Sequence, residues 1–266
     1  MELSEIGEFG LIERIQRITG PVSAPLIIGI GDDAAVLSLD PVDQLLLSTD
    51  AMVEGRHFLR HWMSPYQIGQ RAAAAALSDI AAMGGCPIVL LSSLCLSPIW
   101  SVEEIEELVR GMHDLARRFE VSLAGGDTVS GMPAGNRCHT NLVIDMVAVG
   151  RARAEHLWLR QAARVGDRIL VTGTLGGASA AIAMYEASLP TQLQRFRLLL
   201  ERLTSPIPRF DVASALAPMM VVHAAIDISD GLLQDAGHVA KASGVRMELQ
   251  AAALPVDKQL LDCATL

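Results

Sequence analysis

Between residues 64 and 130 the chain switches local pattern three times, and that alternation restricts it to folds that lay helices against a sheet. Ser64-Pro65 supplies an N-cap and a first helical residue whose missing N–H has no intrahelical partner in any case, and Gly84-Gly85 stops the helix at about Met83. Its centre, "RAAAAALSDIAAMGG", is rich in alanine, which lets a neighbouring backbone come close. Ile88 to Leu96 follows as an apolar strand. Ser101 with Glu104 then forms a capping box for a helix to about Phe119, whose Ile105, Leu108, Val109, Met112 and Leu115 make one core-facing stripe. "VSLAGGDTVSG" returns to strand and ends in a turn.

The flanks continue the alternation. Ile6, Phe9, Ile12 and Ile15 predict a helix over Ser4 to Ile18, ended by Gly20-Pro21. Leu26 to Leu39 reads as two strand segments around a Gly31-Asp32-Asp33 turn, Gln44 to Ser48 as another strand, and "NLVIDMVAVGRA" as a further one. The apolar rhythm pauses between Gly150 and Gly166. "GDRILVTGTLGGASAAIAMYEA" then begins a new strand, glycine turn and helix, with helical patterns at 191–203 and 208–217. "AAIDISDGLLQDAGHVAKASG" reads as strand, turn and helix, and "VRMELQ" as a strand. At 266 residues two cores are more natural than one. The expectation is an α/β chain of two domains, 1–150 and 151–266.

Composition narrows the function. A hydrophobic share of 51% raises the question of a membrane, yet no apolar run approaches the ~18 to 20 residues of a spanning helix. Pro87 to Trp100, the richest stretch, is interrupted by Ser92, Ser93 and Ser97. The opening "MELSEIGEFG" has neither the basic nor the apolar region of a secretory signal, so a cytoplasmic chain is expected. Cys86, Cys95, Cys138 and Cys263 are dispersed without a C-x-x-C, which speaks against a zinc knuckle or a redox pair. A net charge of -9 disfavours nucleic acid, whose phosphates require clustered cations. Of 21 basic residues only Lys241 and Lys258 are lysine, and neither stands in a P-loop or a protein-kinase motif.

Acids nevertheless recur where apolar strands are expected to end: Asp32 and Asp33, Asp50, Asp127, and Asp227 with Asp230. Asp79 differs, lying within the alanine-rich helix, where a carboxylate is costly unless compensated. Each acid by itself also fits a turn former or a helix cap. As a set they suggest carboxylates that stay ionised together only around cations. Hard oxygen ligands without paired His or Cys select Mg2+, Mn2+ or Ca2+. The hydroxyls of Ser48, Thr49, Thr128 and Ser229 can add further oxygens. Such cations neutralise phosphate where lysine is scarce.

The ordered motifs "GEFGLI", "GIGDDAAVL", "STDAMVEGRHF", "LSDIAAMGG", "GGDT", "GRA", "VTGTLGGASAA" and "IDISDGLLQDAGH", spanning residue 7 to about 250, resemble the thiamine-monophosphate kinases. These share a superfamily with aminoimidazole ribonucleotide synthetase, selenophosphate synthetase and the hydrogenase-maturation dehydratase. The resemblance implies ATP-dependent, in-line phosphorylation of thiamine phosphate to thiamine diphosphate, with several Mg2+ ions and no side chain acting as a dedicated base. It matches Asp33, Ser48, Thr49, Asp50, Asp79, Asp127, Asp227 and Asp230 to metal ligands, Gly126, Arg151 and Ser229 to ATP contacts, and His57 to a substrate contact. It also implies two domains of the aminoimidazole ribonucleotide synthetase type, with a homodimer formed through the N-terminal sheet and ATP bound near that interface.

Two departures stand out. Ala76 replaces the asparagine common just before "LSD". The sequence also stops at Leu266, ahead of the family's usual C-terminal segment, so the expectation is either that the second domain is incomplete here or that the thiamine pocket is unusually open. The alternatives are another ATP-using enzyme of the superfamily acting on a purine-pathway intermediate, and a non-enzymatic regulator that binds Mg2+ or nucleotide. The N-terminal cysteine or selenocysteine expected of a selenophosphate synthetase is absent.

Overall fold

The computed structural model describes residues 3–28, 30, 36–37, 40, 42–131, 141–188 and 195–264. The chain divides into two compact units, Met1–Ile80 with Cys86–Ala154, and Glu155–Leu266 with Ala81–Gly85. The main break thus falls between Ala154 and Glu155, against an expected break at about 150.

In the first unit, α1 (Leu3–Thr19) precedes a short antiparallel pair, β1 (Leu26–Ile28) and β2 (Val36–Leu37). A four-stranded sheet is then built from β3 (Gln44–Val53), β4 (Cys86–Leu96), β5 (Ser122–Ser130) and β6 (Val143–Ala152), in the order β3-β6-β4-β5. β6 runs antiparallel to both β3 and β4. β4 and β5 are parallel because α3 (Val102–Arg117) carries the chain back between them, the crossover a parallel pair requires.

α2 (Pro65–Ala82) and α3 cover one face of this sheet. Met52, Ile144, Met146, Ala148, Leu90 and Leu94 are buried on it, and the helices contribute Ile68, Leu77, Ile80, Ile105, Leu108 and Met112. The opposite face begins with Leu45 and Leu47 of β3, which are 50% and 68% exposed. The capping box at α3 is present as expected: Glu104 N–H donates to Ser101 Oγ (3.3 Å) and Ser101 N–H to Glu104 Oε2 (2.9 Å). Five of the seven alanines of α2, all but Ala75 and Ala82, are buried, but its closest approach to α3 is made by glycines. A Cβ on Gly69 would lie 1.9 Å from Leu108 O, and one on Gly111 2.0 Å from Tyr66 O.

The second unit contains α4 (Gly177–Glu186), α5 (Arg197–Thr204), α6 (Phe210–Leu216), α7 (Leu232–Ser243) and α8 (Lys258–Cys263). Trp158 packs with Ala213 and Ala217, and its N–H donates to Met83 O (3.1 Å), which groups residues 81–85 with this unit. The strands expected in "GDRILVTG", "AAIDIS" and "VRMELQ" are not formed. Among the described residues the unit has one isolated bridge, Leu175 with Val256. A strand is defined by its partner, and these segments have none alongside, so Leu170 and Ile169 stand 84% and 42% exposed.

Candidate functional site

Strand β3 distributes the S-T-D motif over both faces of the sheet, because successive side chains alternate. Ser48 and Asp50 face α2. Ser48 Oγ donates to Asp79 Oδ2, which answers the question of what compensates a carboxylate within that helix. Asp50 is half-buried beside this pair. Burial pushes its carboxyl above the ordinary 3.8, and the charges of Asp79 and Asp145 push the same way, against His57 and Arg71. Burial also works against the charge of Arg71, on the same helix as Asp79, and Asp50 favours it. Burial is the largest of these effects on Asp50, and the neighbouring acids add to it.

Thr49 faces the other way, and its Oγ1 donates to Asp145 Oδ1 (2.8 Å). Asp145 stands opposite Ala51 on one side and Ser93 on the other, and Ser93 stands opposite Asp127. Asp145 and Asp127 thus share one row across the sheet, two strands or about 10 Å apart. Among the described residues no three His, Cys, Asp or Glu side chains come close enough together to hold a metal ion. Asp32 and Asp33 lie outside the described residues. Asp50 and Asp127, expected at strand ends, lie within strands, because β3 pairs with β6 over its whole length and β5 follows β4 to Ser130.

His57 follows β3 in a well-anchored loop. Val53 N–H donates to its Nδ1 (2.9 Å), so the ring of a neutral His57 carries its proton on Nε2 and has one donor left to offer. Glu54 accepts from Trp100 Nε1 and Leu142 N–H (both 3.1 Å), while Arg60 lies 4.5 Å over the Trp100 ring and pairs with Glu104.

Three other expected residues have distinct surroundings. A Cβ on Gly126 would lie 1.9 Å from Ser92 O, so this glycine is needed for the approach of β5 to β4, whatever it offers a phosphate. Arg151 pairs with Asp43 (3.1 Å), and on β6 it stands six residues, about 20 Å, from Asp145. The fold does not bring it together with the acids of the sheet. Thr128 Oγ1 is buried without a hydrogen-bond partner. In the second unit Ser229 and Asp230 are exposed, with Asp227 two residues earlier, and Gln234 Nε2 donates to Asp230 Oδ2 (2.8 Å).

Sequence reasoning missed Asp145, Arg71 and Asp235. The signal for Asp145 was an acid inside the apolar run "LVIDMVAV", and that for Arg71 a cation opening an alanine run. Asp235 ends "SDGLLQD", where it reads as an ordinary surface acid of a helix's first turn.

Residues 31–152 match the family model of the AIR synthase related protein N-terminal domain, and residues 164–265 match that of its C-terminal domain. The chain is 34% identical over 255 residues to the thiamine-monophosphate kinase of Bacillus subtilis, covering 95% of this chain and 76% of that protein. The chain belongs to the thiamine-monophosphate kinase family. The enzyme of that name from Escherichia coli K12 is 34% identical over 261 residues, 96% of this chain and 74% of its own length. Among solved structures, thiamine-monophosphate kinase from Stenotrophomonas maltophilia superposes with a TM-score of 0.82 at 34% identity, over 97% of this chain and 78% of that one. AaThiL complexed with AMPPCP and TMP superposes with a TM-score of 0.77 at 31% identity, over 100% of this chain and 79% of that one.

Proposed function

We propose that this chain transfers the γ-phosphoryl group of ATP to thiamine phosphate, giving thiamine diphosphate and ADP. The observation that carries the reading is the likeness, over the whole chain, to a kinase holding AMPPCP and TMP together. A phosphate oxygen of thiamine phosphate attacks the γ-phosphorus while the bond to the β-phosphate oxygen breaks, with ADP leaving. That oxygen is already ionised at neutral pH, so no side chain need remove a proton.

The donors available to cations fit Mg2+: in the first unit Ser48, Asp50 and Asp79 on one face of the sheet, and Thr49 and Asp127 on the other, offer only oxygens. Burial first, and then the charges of Asp79 and Asp145, disfavour the ionised Asp50, and a cation beside it would oppose both. The reading assigns these residues to Mg2+, with Asp33 from the sequence. In the second unit it assigns Asp227 and Asp230 to Mg2+ and Ser229 to the nucleotide. When bound, Mg2+ supplies charge neutralisation between two anionic reactants.

The side chains prepare for this. The Ser48 hydroxyl donates its hydrogen bond to Asp79 and the Thr49 hydroxyl donates its own to Asp145, leaving both hydroxyl oxygens with lone pairs for a cation. His57 offers Nε2–H to the acceptor phosphate. The backbone at Gly126 and the side chain of Arg151, which Asp43 holds, are assigned to ATP. The exposed Leu45 and Leu47 support a second copy of the chain covering that face of the sheet. The reading assigns the chain to the cytoplasm, and the need for ATP as co-substrate supports it.

The test is product identification. Purified protein with ATP, Mg2+ and thiamine phosphate is expected to give thiamine diphosphate and ADP in equal amounts by phosphorus NMR, and unchanged thiamine phosphate would overturn the reading.

A further inference from the structure

Among the described residues, Asp235 is the one charged side chain that is fully buried, at 3% exposure. A carboxylate removed from water is costly unless hydrogen bonds replace the lost solvent. Asp235 Oδ2 receives two of them, from Ser229 N–H and Gly231 N–H, each at 3.0 Å. The two donors flank Asp230, so a single buried oxygen grips the turn on both sides of an exposed acid. The N-cap of α7 is Gly231, which has no side chain to satisfy neighbouring N–H groups, and Asp235 does this from the helix's own first turn. Its own N–H donates back to Gly231 O (3.0 Å). Asp235 thus fixes the backbone on which the exposed Ser229 and Asp230 stand, and Gln234 restrains Asp230 from the same helix.

We infer that Asp235 is the positioning residue of the turn carrying Ser229 and Asp230, presetting that turn for a Mg2+-bound nucleotide while touching neither group itself. The inference rests on the assignment of Ser229 and Asp230 to nucleotide and Mg2+ given above. A turn ordered in the free protein does not have to be ordered when ligand arrives, so loss of the grip is read as lost affinity. Both hydrogen bonds end on one oxygen, and the amide oxygen of asparagine can accept both. Charge and hydrogen bonding are therefore separable by mutation.

The experiment compares Asp235→Asn and Asp235→Ala with wild type by calorimetric titration of the whole chain with Mg2+–AMPPCP, alongside thermal unfolding. Asp235→Asn is expected to bind within about threefold of wild type and Asp235→Ala about tenfold to a hundredfold more weakly. A folded Asp235→Ala protein that binds as wild type does overturns the inference, even if its Tm falls, because a purely structural role lowers stability alone. Should Asp235→Ala not fold, hydrogen exchange on the free wild type decides. Slow exchange at the Ser229 and Gly231 amides supports the grip, and exchange as fast as in an unstructured chain overturns it. Wild-type protein that binds no Mg2+–AMPPCP overturns the functional assignment itself, whereas normal wild-type binding unaffected by Asp235→Ala overturns only this inference.

Discussion

Gly111→Ala places a methyl group where α3 crosses α2. Its carbon would stand 2.0 Å from Tyr66 O, 2.8 Å from Tyr66 C and 3.0 Å from Gln70 N, where ordinary contact starts at 3.4 Å. All three are main-chain atoms of α2, so no rotamer change relieves the clash. The helices must separate by about 1.4 Å at the crossing, the difference between 3.4 and 2.0 Å. Overpacking on this scale costs about 3 kcal/mol, the upper end of the usual range. For a chain of this size that lowers Tm by about 6 to 12 °C. α2 also carries Arg71 and Asp79, and Asp79 receives the Ser48 hydroxyl, so the shift reaches the site. A displacement of about 1 Å in a phosphoryl-transfer site costs on the order of a hundredfold in rate. Scanning calorimetry and Mg2+-dependent ADP release measure the two effects. Gly237→Ala is the control: nothing lies within 4 Å of its Cβ position in α7, and it should gain about 0.5 to 1 kcal/mol. Wild-type Tm and turnover in Gly111→Ala would refute the claim that this helix contact sets the position of Asp79.

Three further outcomes are expected. The carboxyl of Asp50 is raised in the folded protein, so its contribution to stability is present below about pH 3.8 and is lost as pH rises through the folded value. In EDTA at neutral pH, Asp50→Asn should therefore raise Tm, and Mg2+ should stabilise wild type more than the variant; a lower Tm without metal would contradict the account. Ser48→Ala takes the hydroxyl donor from Asp79 and should cost about 1 to 3 kcal/mol while raising the Mg2+ concentration for half-maximal rate, and an unchanged Mg2+ profile would show that the hydroxyl serves packing only. His57→Ala should raise KM for thiamine phosphate with little change in KM for ATP, and the reverse pattern in steady-state kinetics would place His57 at the nucleotide.

Helix limits were legible because they are set locally. Ser64-Pro65 and the Ser101–Glu104 box carry their own hydrogen-bonding instructions, and α2 and α3 start where those residues say. Strand limits depend on a distant partner. β3, read as ending at Ser48, continues to Val53 because β6 lies beside it as far as Val143. That extension places Thr49 and Asp50 on opposite faces, a division that motif spacing alone does not reveal. The same nonlocality hid Asp145, whose importance arises from accepting the Thr49 hydroxyl diagonally across the β3–β6 pair. Gly69 and Gly111 look like weak points in helical sequence and prove to be the closest contact between α2 and α3. In the second unit, apolar alternation predicted strands that lack partners among the described residues, whereas α7 and its preceding turn stand where "SDGLL" indicated. Arg151 shows the limit of a three-residue motif: "GRA" was visible, but its ion pair with Asp43 depends on β3 and β6 lying side by side.

The central claim concerns the phosphoryl acceptor, and acceptor choice tests it most directly. Initial rates of ADP release are to be measured with ATP and, separately, thiamine phosphate, thiamine and an aminoimidazole ribonucleotide precursor, each with Mg2+ and with EDTA. The account predicts ADP release with thiamine phosphate alone, abolished by EDTA and matched by thiamine diphosphate formed. ADP release driven by the purine precursor, or none with thiamine phosphate, would contradict it.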